Sequence, residues 1–419
     1  MSHGLRGTRA VSGLLMGVLT AALLLGLAAP AAQAQSFQDA MSGALDFQCR
    51  GLAGSPSGSG DYQSSLFTIC NNIPSVSGTS SGGSLAILGS SQDGSEQRRI
   101  LRRLEEKREE AREGGVRAAS ADSGQIGPFG FFLTSEFEWI NKSASPNESG
   151  FDSNSKGGIV GFDYGVTKMV TVGLAIHYSR VDGEFDGEGG KFHTDNMGVT
   201  IYGSASPFPN FFIDGAMGYI RREYEVNRRA TYVSPGNGTV VDGFAHSDTT
   251  GDEFNMSVNA GYDVSMKALT FGPRLGVDYS TIDIAGFQEV GQKNRPDFDT
   301  GLELAYKRQH RESLTTKLGI FASYALSVGF GVLVPQFTAE WVHEFLNDQR
   351  TIFFKFREDN AGAQLRFQTD EPDRDYFRVG TGVVLVLPKN ISAFVNYRVL
   401  LGYNDRIAHT LNAGLRVGF

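Results

Sequence analysis

The sequence lacks the features that would place it in several common classes of protein. Its 419 residues carry a formal net charge of −8, so basic side chains are not in excess. A nucleic-acid-binding protein normally presents a basic patch, and we therefore exclude nucleic acid as a partner. Beyond residue 34, no apolar run approaches the roughly 18 residues that a membrane-spanning helix needs. Any residence in a membrane would have to depend on β-strands.

Sequence motifs of catalysis and nucleotide binding are also missing. The chain contains no HExxH zinc motif and no GxxxxGK[ST] phosphate-binding loop. Its seven histidines are scattered along the chain rather than clustered. The acidic segment 182–188 could hold a divalent cation, but a solvated loop is the simpler interpretation. We predict that the protein is not an enzyme and that it has no cofactor and no metal site.

The amino-terminal segment has the three parts of a secretory signal. Arg6 and Arg9 precede an apolar run at residues 11–29, and small residues follow at Ala32 and Ala34. A charged region, a hydrophobic core and a small-residue cleavage site are typical of an export signal. We expect residues 1–34 to be a signal peptide that is removed. The alternative is an amino-terminal membrane anchor.

Residues 35–92 are rich in Gly and Ser and contain both cysteines of the chain, Cys49 and Cys70. In an oxidising compartment the two are expected to pair, which closes a loop of about 20 residues and stabilises it by roughly 3 kcal/mol. Two free thiols or half of a metal site are the alternatives, although no neighbouring Cys or His completes a zinc shell. We predict a short segment with one disulfide and a flexible linker.

The last residues of the sequence alternate between apolar side chains and small or polar ones. Side chains of a strand alternate with a period of two, so one face would carry Leu411, Ala413, Leu415, Val417 and Phe419. The other face would carry Thr410, Asn412, Gly414, Arg416 and Gly418. A strand between lipid and a watery lumen needs this pattern. The 53 glycines and 30 phenylalanines, with only 40% apolar residues, fit strands that are apolar on one face.

The same alternation recurs over residues 127–419, which we predict to be one barrel domain. Short turns occur at 167–168, 207–210, 266–267 and 388–390, and long polar connections at 182–191, 227–247, 281–299 and 347–374. This asymmetry is typical of outer-membrane barrels, whose single-chain bacterial members have even numbers of strands. Residues 302–326 could form one long strand or a hairpin around 310–312, which gives a count of 12 or 13. Because an odd number does not fit, we interpret these residues as one long strand. The count is then twelve.

A highly charged helix is predicted immediately before the barrel, at residues 93–115. Asp93 and Glu96 form a capping-box arrangement, and a Gly pair supplies the stop. At 1.5 Å per residue its charged part is about 27 Å long, close to the apolar height of such a barrel. A solvated linker helix is the alternative, but length and position favour the lumen. The basic residues of this predicted helix are Arg98, Arg99, Arg102, Arg103, Lys107, Arg108 and Arg112.

The predicted fold is therefore all-β: a 12-stranded antiparallel transmembrane β-barrel with an α-helix threading the lumen. By alternation, the inward carboxylates are Glu136, Glu138, Asp163, Asp214, Asp278, Glu340 and Glu344, and the inward cations are Arg274, Arg398 and Arg416. An uncompensated charge in a narrow lumen is costly, so we predict that the helix arginines pair with these carboxylates. The alternative is an open channel in which the carboxylates face water.

The order of these segments resembles the β-domain of monomeric autotransporters, the type V secretion family. The resemblance covers nearly all of residues 127–419. The matching runs, in chain order, are GGIVGFDYGVTKMVTVGLAIHYS, GVTIYGSASPFPNFFIDGAMGY, LTFGPRLGVDYSTIDIAGFQEVG, SLTTKLGIFASY, VLVPQFTAEWVHEFLND and LNAGLRVGF.

This resemblance implies a monomeric barrel in the outer membrane of a Gram-negative bacterium, surrounded by outer-membrane lipid, with a helix in its pore. It also implies delivery by periplasmic chaperones and insertion by the barrel-assembly machinery. In this family that machinery recognises a terminal aromatic strand, here Leu411, Leu415, Val417 and Phe419. The family translocates an amino-terminal passenger to the cell surface. The passenger here has under 60 residues, and Asn71-Asn72 lies outside the predicted helix, so cleavage at an asparagine pair is not carried over.

Three functions follow from this sequence. The first is an outer-membrane translocator that exports and displays its own short amino-terminal segment. The second is a plugged barrel that acts as an adhesin or structural protein through its extracellular loops. A diffusion pore, the third, would require the helix to leave the lumen.

Overall fold

The computed structural model describes residues 129–145, 147–167, 169–234, 238–291, 302–357 and 364–418. The predicted signal peptide, the disulfide, the charged helix and Phe419 lie outside these residues. Twelve strands in the described part form the barrel. They are β1 (Phe129–Lys142), β2 (Phe151–Gly165), β3 (Val170–Phe185), β4 (Gly190–Phe208), β5 (Phe211–Ser234), β6 (Gly238–Tyr262), β7 (Leu269–Ile284), β8 (Gln309–Tyr324), β9 (Gly331–Glu344), β10 (Asp375–Leu387), β11 (Ile391–Leu401) and β12 (Arg406–Gly418).

The barrel closes on itself without a free edge. Each strand pairs antiparallel with its neighbours in the chain. For example, β7 and β8 are paired along their whole length, with Leu269 opposite Tyr324 at one end and Ile284 opposite Gln309 at the other. The first and last strands close the ring, with Phe131 opposite Val417 and Lys142 opposite Arg406. Closure removes unpaired backbone groups, which lipid cannot hydrogen-bond. The predicted 12-stranded antiparallel barrel is confirmed.

The two faces of the wall differ in polarity as the alternation predicts. On β1, Phe131 points outward and is 43% exposed, whereas Glu136 points inward and is 3% exposed. Leu174 and Leu415 likewise lie on the outer surface, and Thr134 and Asn412 are buried inside. An apolar exterior around a polar interior suits a wall between lipid and water. Among the described residues, no helix is long and apolar enough to cross a membrane.

Short turns join the strands at one end of the barrel, which we call the turn end. Asn210, Lys267 and Lys389 adopt left-handed backbone conformations there, with φ of 67°, 56° and 65°. Two three-residue strands, Val264–Met266 and Leu326–Val328, extend the pairing beside β7 and β9. The predicted turns at 207–210 and 388–390 are confirmed. We call the opposite end, which carries the long connections, the loop end.

Two of the predicted long connections are instead largely strand. β3 and β4 are joined by a short 3₁₀ turn at Asp186–Glu188, and their pairing continues to Phe185 opposite Gly190. β5 and β6 remain paired up to Ser234 opposite Gly238. The prediction was wrong because the outward side chains become polar where the wall leaves lipid. Loss of apolar alternation marks the membrane boundary, not the end of the strand.

Residues 302–326 are not one long strand, and this prediction was also wrong. Leu304–Tyr306 is a separate strand, and the barrel strand β8 begins at Gln309. Leu304–Tyr306 belongs to a second, four-stranded antiparallel sheet, which we call the cap sheet. Its strands, in spatial order, are Leu365–Gln368, Thr351–Phe356, Leu304–Tyr306 and Phe287–Gln288. The count of twelve barrel strands is unaffected.

Inward aromatic rings pack over glycines on neighbouring strands. Phe132 of β1 covers Gly161 of β2, and Tyr202 of β4 covers Gly173 of β3. An added Cβ at either glycine would overlap the ring atoms. These glycines let large rings lie flat against the wall, which leaves the rest of the lumen to polar side chains.

Candidate functional site

The candidate site is the barrel lumen together with its mouth at the loop end. All seven carboxylates singled out in the sequence lie on the inward face of the wall. Five of them are buried, namely Glu136, Glu138, Asp163, Asp214 and Glu344, and Asp278 and Glu340 are half-buried. The structure therefore brings these acids together on the lining of one lumen, which they share with the buried cations Arg222, Lys317, Arg378 and Arg416.

Wall residues already contact several of these carboxylates. Lys317 Nζ lies 2.8 Å from Asp278 Oδ1, and Arg416 Nη2 lies 3.5 Å from Asp163 Oδ1. Ser204 Oγ donates to Asp214 Oδ1 at 2.7 Å. Lumen charge is therefore partly balanced within the wall, because a charge in a confined space needs a partner.

The predicted cation Arg274 holds the turn end of the lumen together. Its guanidinium lies between two rings, 4.9 Å from the Phe212 centroid and 4.6 Å from that of Phe321. Its Nη2 is 2.7 Å from Asp263 Oδ1. Charge pairing and ring stacking together fix a planar guanidinium across several strands.

A second buried network was missed by the sequence analysis. Arg222 of β5 pairs with Glu253 of β6, and its Nη1 donates to Asn196 Oδ1 at 2.9 Å. Asn255 Nδ2 donates to Glu253 Oε1 at 3.0 Å. The acid and the base lie in segments of different strands, and only their pairing register brings them together. The alternation of side chains could have predicted that Arg222 and Glu253 both point inward, but it could not have predicted that they contact each other.

An apolar core lies in the mouth at the loop end. One side of the cap sheet packs against inward side chains of the extended strands. The cap sheet contributes Phe287, Leu304, Tyr306, Ile352, Phe354, Phe356 and Phe367, and the barrel contributes Ile140, Phe151, Val181, Phe185, Phe192, Tyr224, Val226, Ala230, Ile282 and Ile284. β1 and β7 stand opposite each other in a twelve-stranded ring. The core therefore crosses the mouth from one side of the barrel to the other.

A buried ion pair fastens the cap sheet to the wall. Arg228 of β5 donates from Nε and Nη2 to the carboxylate of Glu289, at 2.8 and 2.6 Å. The two side chains are 0% and 1% exposed. Arg228 also donates to the Leu302 carbonyl, and the Leu304 amide donates to Glu289 Oε2. Burial opposes the charge of Arg228, but Glu289 more than offsets this and raises the pKa of Arg228.

Aromatic donors ring the outer wall just below this mouth. Tyr178 donates to Asp195 at 2.6 Å and Tyr279 to Glu312 at 2.8 Å. Trp341 Nε1 donates to Asp375 at 2.9 Å. Amphipathic rings with their polar ends turned toward water are typical of a membrane interface. This girdle fixes where the outer edge of the membrane meets the barrel.

The family model described as the autotransporter β-domain matches residues 131–398 of the chain. The chain belongs to the autotransporter β-domain family. An autotransporter β-domain lies in the outer membrane of a Gram-negative bacterium. Long loops of such barrels face outward and short turns face the periplasm, so the cap sheet is extracellular. No group of three or more metal-ligating side chains occurs within the described parts of this β-domain.

Relatives of this autotransporter β-domain are much longer proteins. It is 24% identical over 307 residues to the outer membrane protein A of Rickettsia rickettsii, which is 72% of this chain but 13% of that protein. It is 24% identical over 270 residues to the putative uncharacterized protein YaiT of Escherichia coli (strain K12), covering 64% of this chain and 25% of that one. The chain thus spans a quarter or less of the length of these relatives.

Two solved structures share its fold. The translocator domain of the autotransporter NalP from Neisseria meningitidis aligns with a TM-score of 0.54 at 13% identity, covering 75% of this chain and 95% of that chain. The β-domain of the Bordetella autotransporter Brka aligns with a TM-score of 0.50 at 16% identity, covering 70% and 100%. At these identities the likeness concerns the fold.

Proposed function

We propose that this β-domain anchors in the outer membrane and exports and displays its own short amino-terminal segment. The observation that carries the proposal is the closed barrel with an acidic, polar lumen and an apolar exterior, in a chain of the autotransporter β-domain family. Such a lumen can accommodate a polar polypeptide, and a charged helix more readily than an apolar one. The segment to be displayed is residues 35–92, with Cys49 and Cys70 paired.

The remaining parts of this proposal concern partners and contacts. Residues 93–115 would cross the lumen as a helix, with arginines such as Arg102 and Arg103 paired to the acidic lining. Periplasmic chaperones and the barrel-assembly machinery would deliver the monomer, reading the strand that ends in Leu415, Val417 and Phe419. The proposed role is translocation and display, not catalysis. The inward carboxylates of the wall support it, because opposite charges at close range stabilise each other.

The test is the accessibility of an epitope tag placed beside Ser57. Intact cells and permeabilised cells are labelled with an antibody to the tag, and a periplasmic protein serves as the control for leakage. Labelling of intact cells is the expected result. Labelling that appears only after permeabilisation would show that the segment stays in the periplasm and would contradict display.

The second candidate is a plugged barrel that acts through its extracellular loops as an adhesin or structural protein. The specific observation in its favour is the cap sheet, since a loop that served only as a connection would not need a folded sheet. Replacing residues 351–368 by a Gly-Ser linker separates the two functions. Loss of surface binding with the Ser57 tag still displayed would favour the loops, whereas unchanged binding would not.

A further inference from the structure

The apolar core occupies only part of the mouth. Its barrel members come from β1 to β5 and from β7, and Ala408 of β12 packs against them. None of the described core residues belongs to β8, β9, β10 or β11. A polypeptide that left the lumen through the core would have to separate Phe151, Phe192 and Phe354 from their neighbours. Exposing such apolar side chains to water is unfavourable, so the core is an unfavourable exit.

The other part of the mouth contains a cleft of about 80 Å³ that is lined mostly by charged and amide side chains. Its wall is formed by the end of β1, the start of β8, residues 347–350 and 369–373, and the turn at 403–406. Lys142 and Arg311 point inward on their strands and are buried, and both line the cleft. The cleft therefore reaches the inner face of the wall as well as the outer surface.

Charge pairs and hydrogen bonds hold this wall in place. Lys142 Nζ lies 3.2 Å from Glu148 Oε2 and 3.1 Å from Asp370 Oδ2. The carboxylate of Asp373 accepts two hydrogen bonds from Asn404, one from the backbone N–H and one from Nδ2, each at 2.6 Å. The β1–β2 connection, the 347–373 connection and the β11–β12 turn are thus joined around the opening. The cleft is a built feature rather than a gap between loose loops.

We propose that the segment preceding β1 leaves the barrel through this cleft. The inference rests on the proposed function. β1 begins at the turn end with Phe129, so the chain that joins β1 to a displayed segment 35–92 must run the length of the lumen and cross the mouth. The apolar core lies beside β1 to β5 and β7, and the cleft opens where the ends of β1 and β8 meet the connections that follow β9 and β11. A Gly- and Ser-rich chain makes hydrogen bonds with a charged and amide-lined wall at little cost, unlike an apolar core.

Cysteine cross-linking on intact cells tests this route. The starting chain carries Cys49→Ser, Cys70→Ser and the Ser57 tag. One cysteine is placed on the cleft wall, as Glu371→Cys or as Asp405→Cys, and a second in the amino-terminal segment at Ser84, Ser91 or Ser95 in turn. Arg366→Cys, on the exposed face of the cap sheet, is the matched control. A short bifunctional thiol reagent then joins neighbouring cysteines, and a changed gel mobility of the full chain reports the link.

We expect cross-links from both cleft positions and none from the cap-sheet position. Cross-links from Arg366→Cys alone, or no cross-link from either cleft position in cells whose tag is labelled, would overturn the exit route. Two independent cleft positions guard against a variant that fails to assemble. Labelling of the tag only after permeabilisation would contradict the proposed function itself, and the proposed exit route would then also be wrong.

Discussion

At the scale of single residues, Arg228 and its neighbour Arg229 show how the face of a strand decides what a charge does. The Arg228 side chain is 0% exposed and contacts Glu289 in the mouth core. Arg229 points outward, is 28% exposed and pairs with Asp242 and Glu188 at the surface. Losing one partner of a buried pair leaves a buried charge without compensation, whereas a surface charge is readily hydrated.

Arg228→Met should loosen the 285–306 connection. The carboxylate of Glu289 would remain in the apolar core without its cation, at a cost of about 3–5 kcal/mol. Faster amide exchange at residues 287–291 and 302–306 is the expected result, measured by hydrogen–deuterium exchange on the purified barrel.

The matched control is Arg229→Met, which should leave exchange at those residues unchanged. The double variant Arg228→Met, Glu289→Met should recover most of the protection, because no charge is then buried. Equal exchange in the two single variants would contradict the role assigned to Arg228.

Gly161 and Gly158 of β2 offer a second residue-scale comparison. An added Cβ at Gly161 would overlap the ring of Phe132, whereas at Gly158 the nearest heavy atom, Thr134 O, is 3.6 Å away. Gly161→Ala should therefore destabilise the barrel by about 1–3 kcal/mol through overpacking. A lower temperature for the loss of the fast-migrating folded form on gels is expected. Gly158→Ala should behave like the parent, and equal effects of the two substitutions would count against the ring-over-glycine packing.

At the scale of strands, the lipid-facing elements were predictable and the rest was less so. β1 and β12 alternate strictly, because each lies between lipid and lumen along its length. The outer parts of β5 and β6 lose this contrast, so their length could not be read from apolar alternation. The cap sheet has strands of two to six residues. The sequence did contain a pattern for its longest strand, because the apolar residues Ile352, Phe354 and Phe356 occur at every second position. They lie inside a connection that we interpreted as polar.

The candidate site divides in the same way. The inward position of Glu136 and Asp278 follows from the period of two, and alternation alone predicts it. The contact of Asp278 with Lys317 depends on the register between β7 and β8, which places Thr315 opposite Asp278 and Lys317 diagonal to it. Arg228 and Glu289 are 61 residues apart. A single sequence has no local pattern that joins such residues.

The cap sheet should respond to alkaline pH through Tyr306. Burial raises the pKa of Tyr306 well above its ordinary value, and the nearby Glu289 adds to this effect. A group whose pKa is raised by folding stabilises the fold fully below its unfolded pKa, and this contribution is lost as pH rises toward the folded value. Protection of the cap sheet should therefore decline above about pH 10, the ordinary range of tyrosine.

Tyr306→Phe should reduce that decline and cost little at neutral pH, since the hydroxyl has no hydrogen-bond partner among the described residues. The measurement is the rate of cleavage within residues 285–306 by an alkaline-active protease, from pH 8 to pH 11. Tyr324→Phe, exposed at the turn end, is the control and should follow the parent. A decline that is identical in the Tyr306 variant would assign the pH effect to other groups.

At the scale of the whole molecule, the barrel combines an acidic lumen with a mouth that is closed in one part and polar in the other. Ions entering from outside would meet the apolar core beside β1 to β5 and β7, and the charged cleft between the ends of β1 and β8. The acids Glu136, Glu138 and Asp163 then line the path inward. If residues 93–115 cross this lumen, their arginines face the carboxylates of the wall. Displacing this helix from the lumen should then change the conductance more than any change in the cap sheet.

Arg102→Glu with Arg103→Glu should raise the single-channel conductance of the purified barrel in a planar bilayer. The reversed charges would be repelled by the acidic lining, and like charges at close range in a confined space destabilise the helix in the lumen. The matched control, Arg102→Lys with Arg103→Lys, keeps the charge and should conduct like the parent. The increase should also be smaller at high salt, because screening weakens the repulsion. Conductance that is the same in all three proteins would show that these arginines do not plug the lumen, and the proposed pairing with the lumen carboxylates would be wrong.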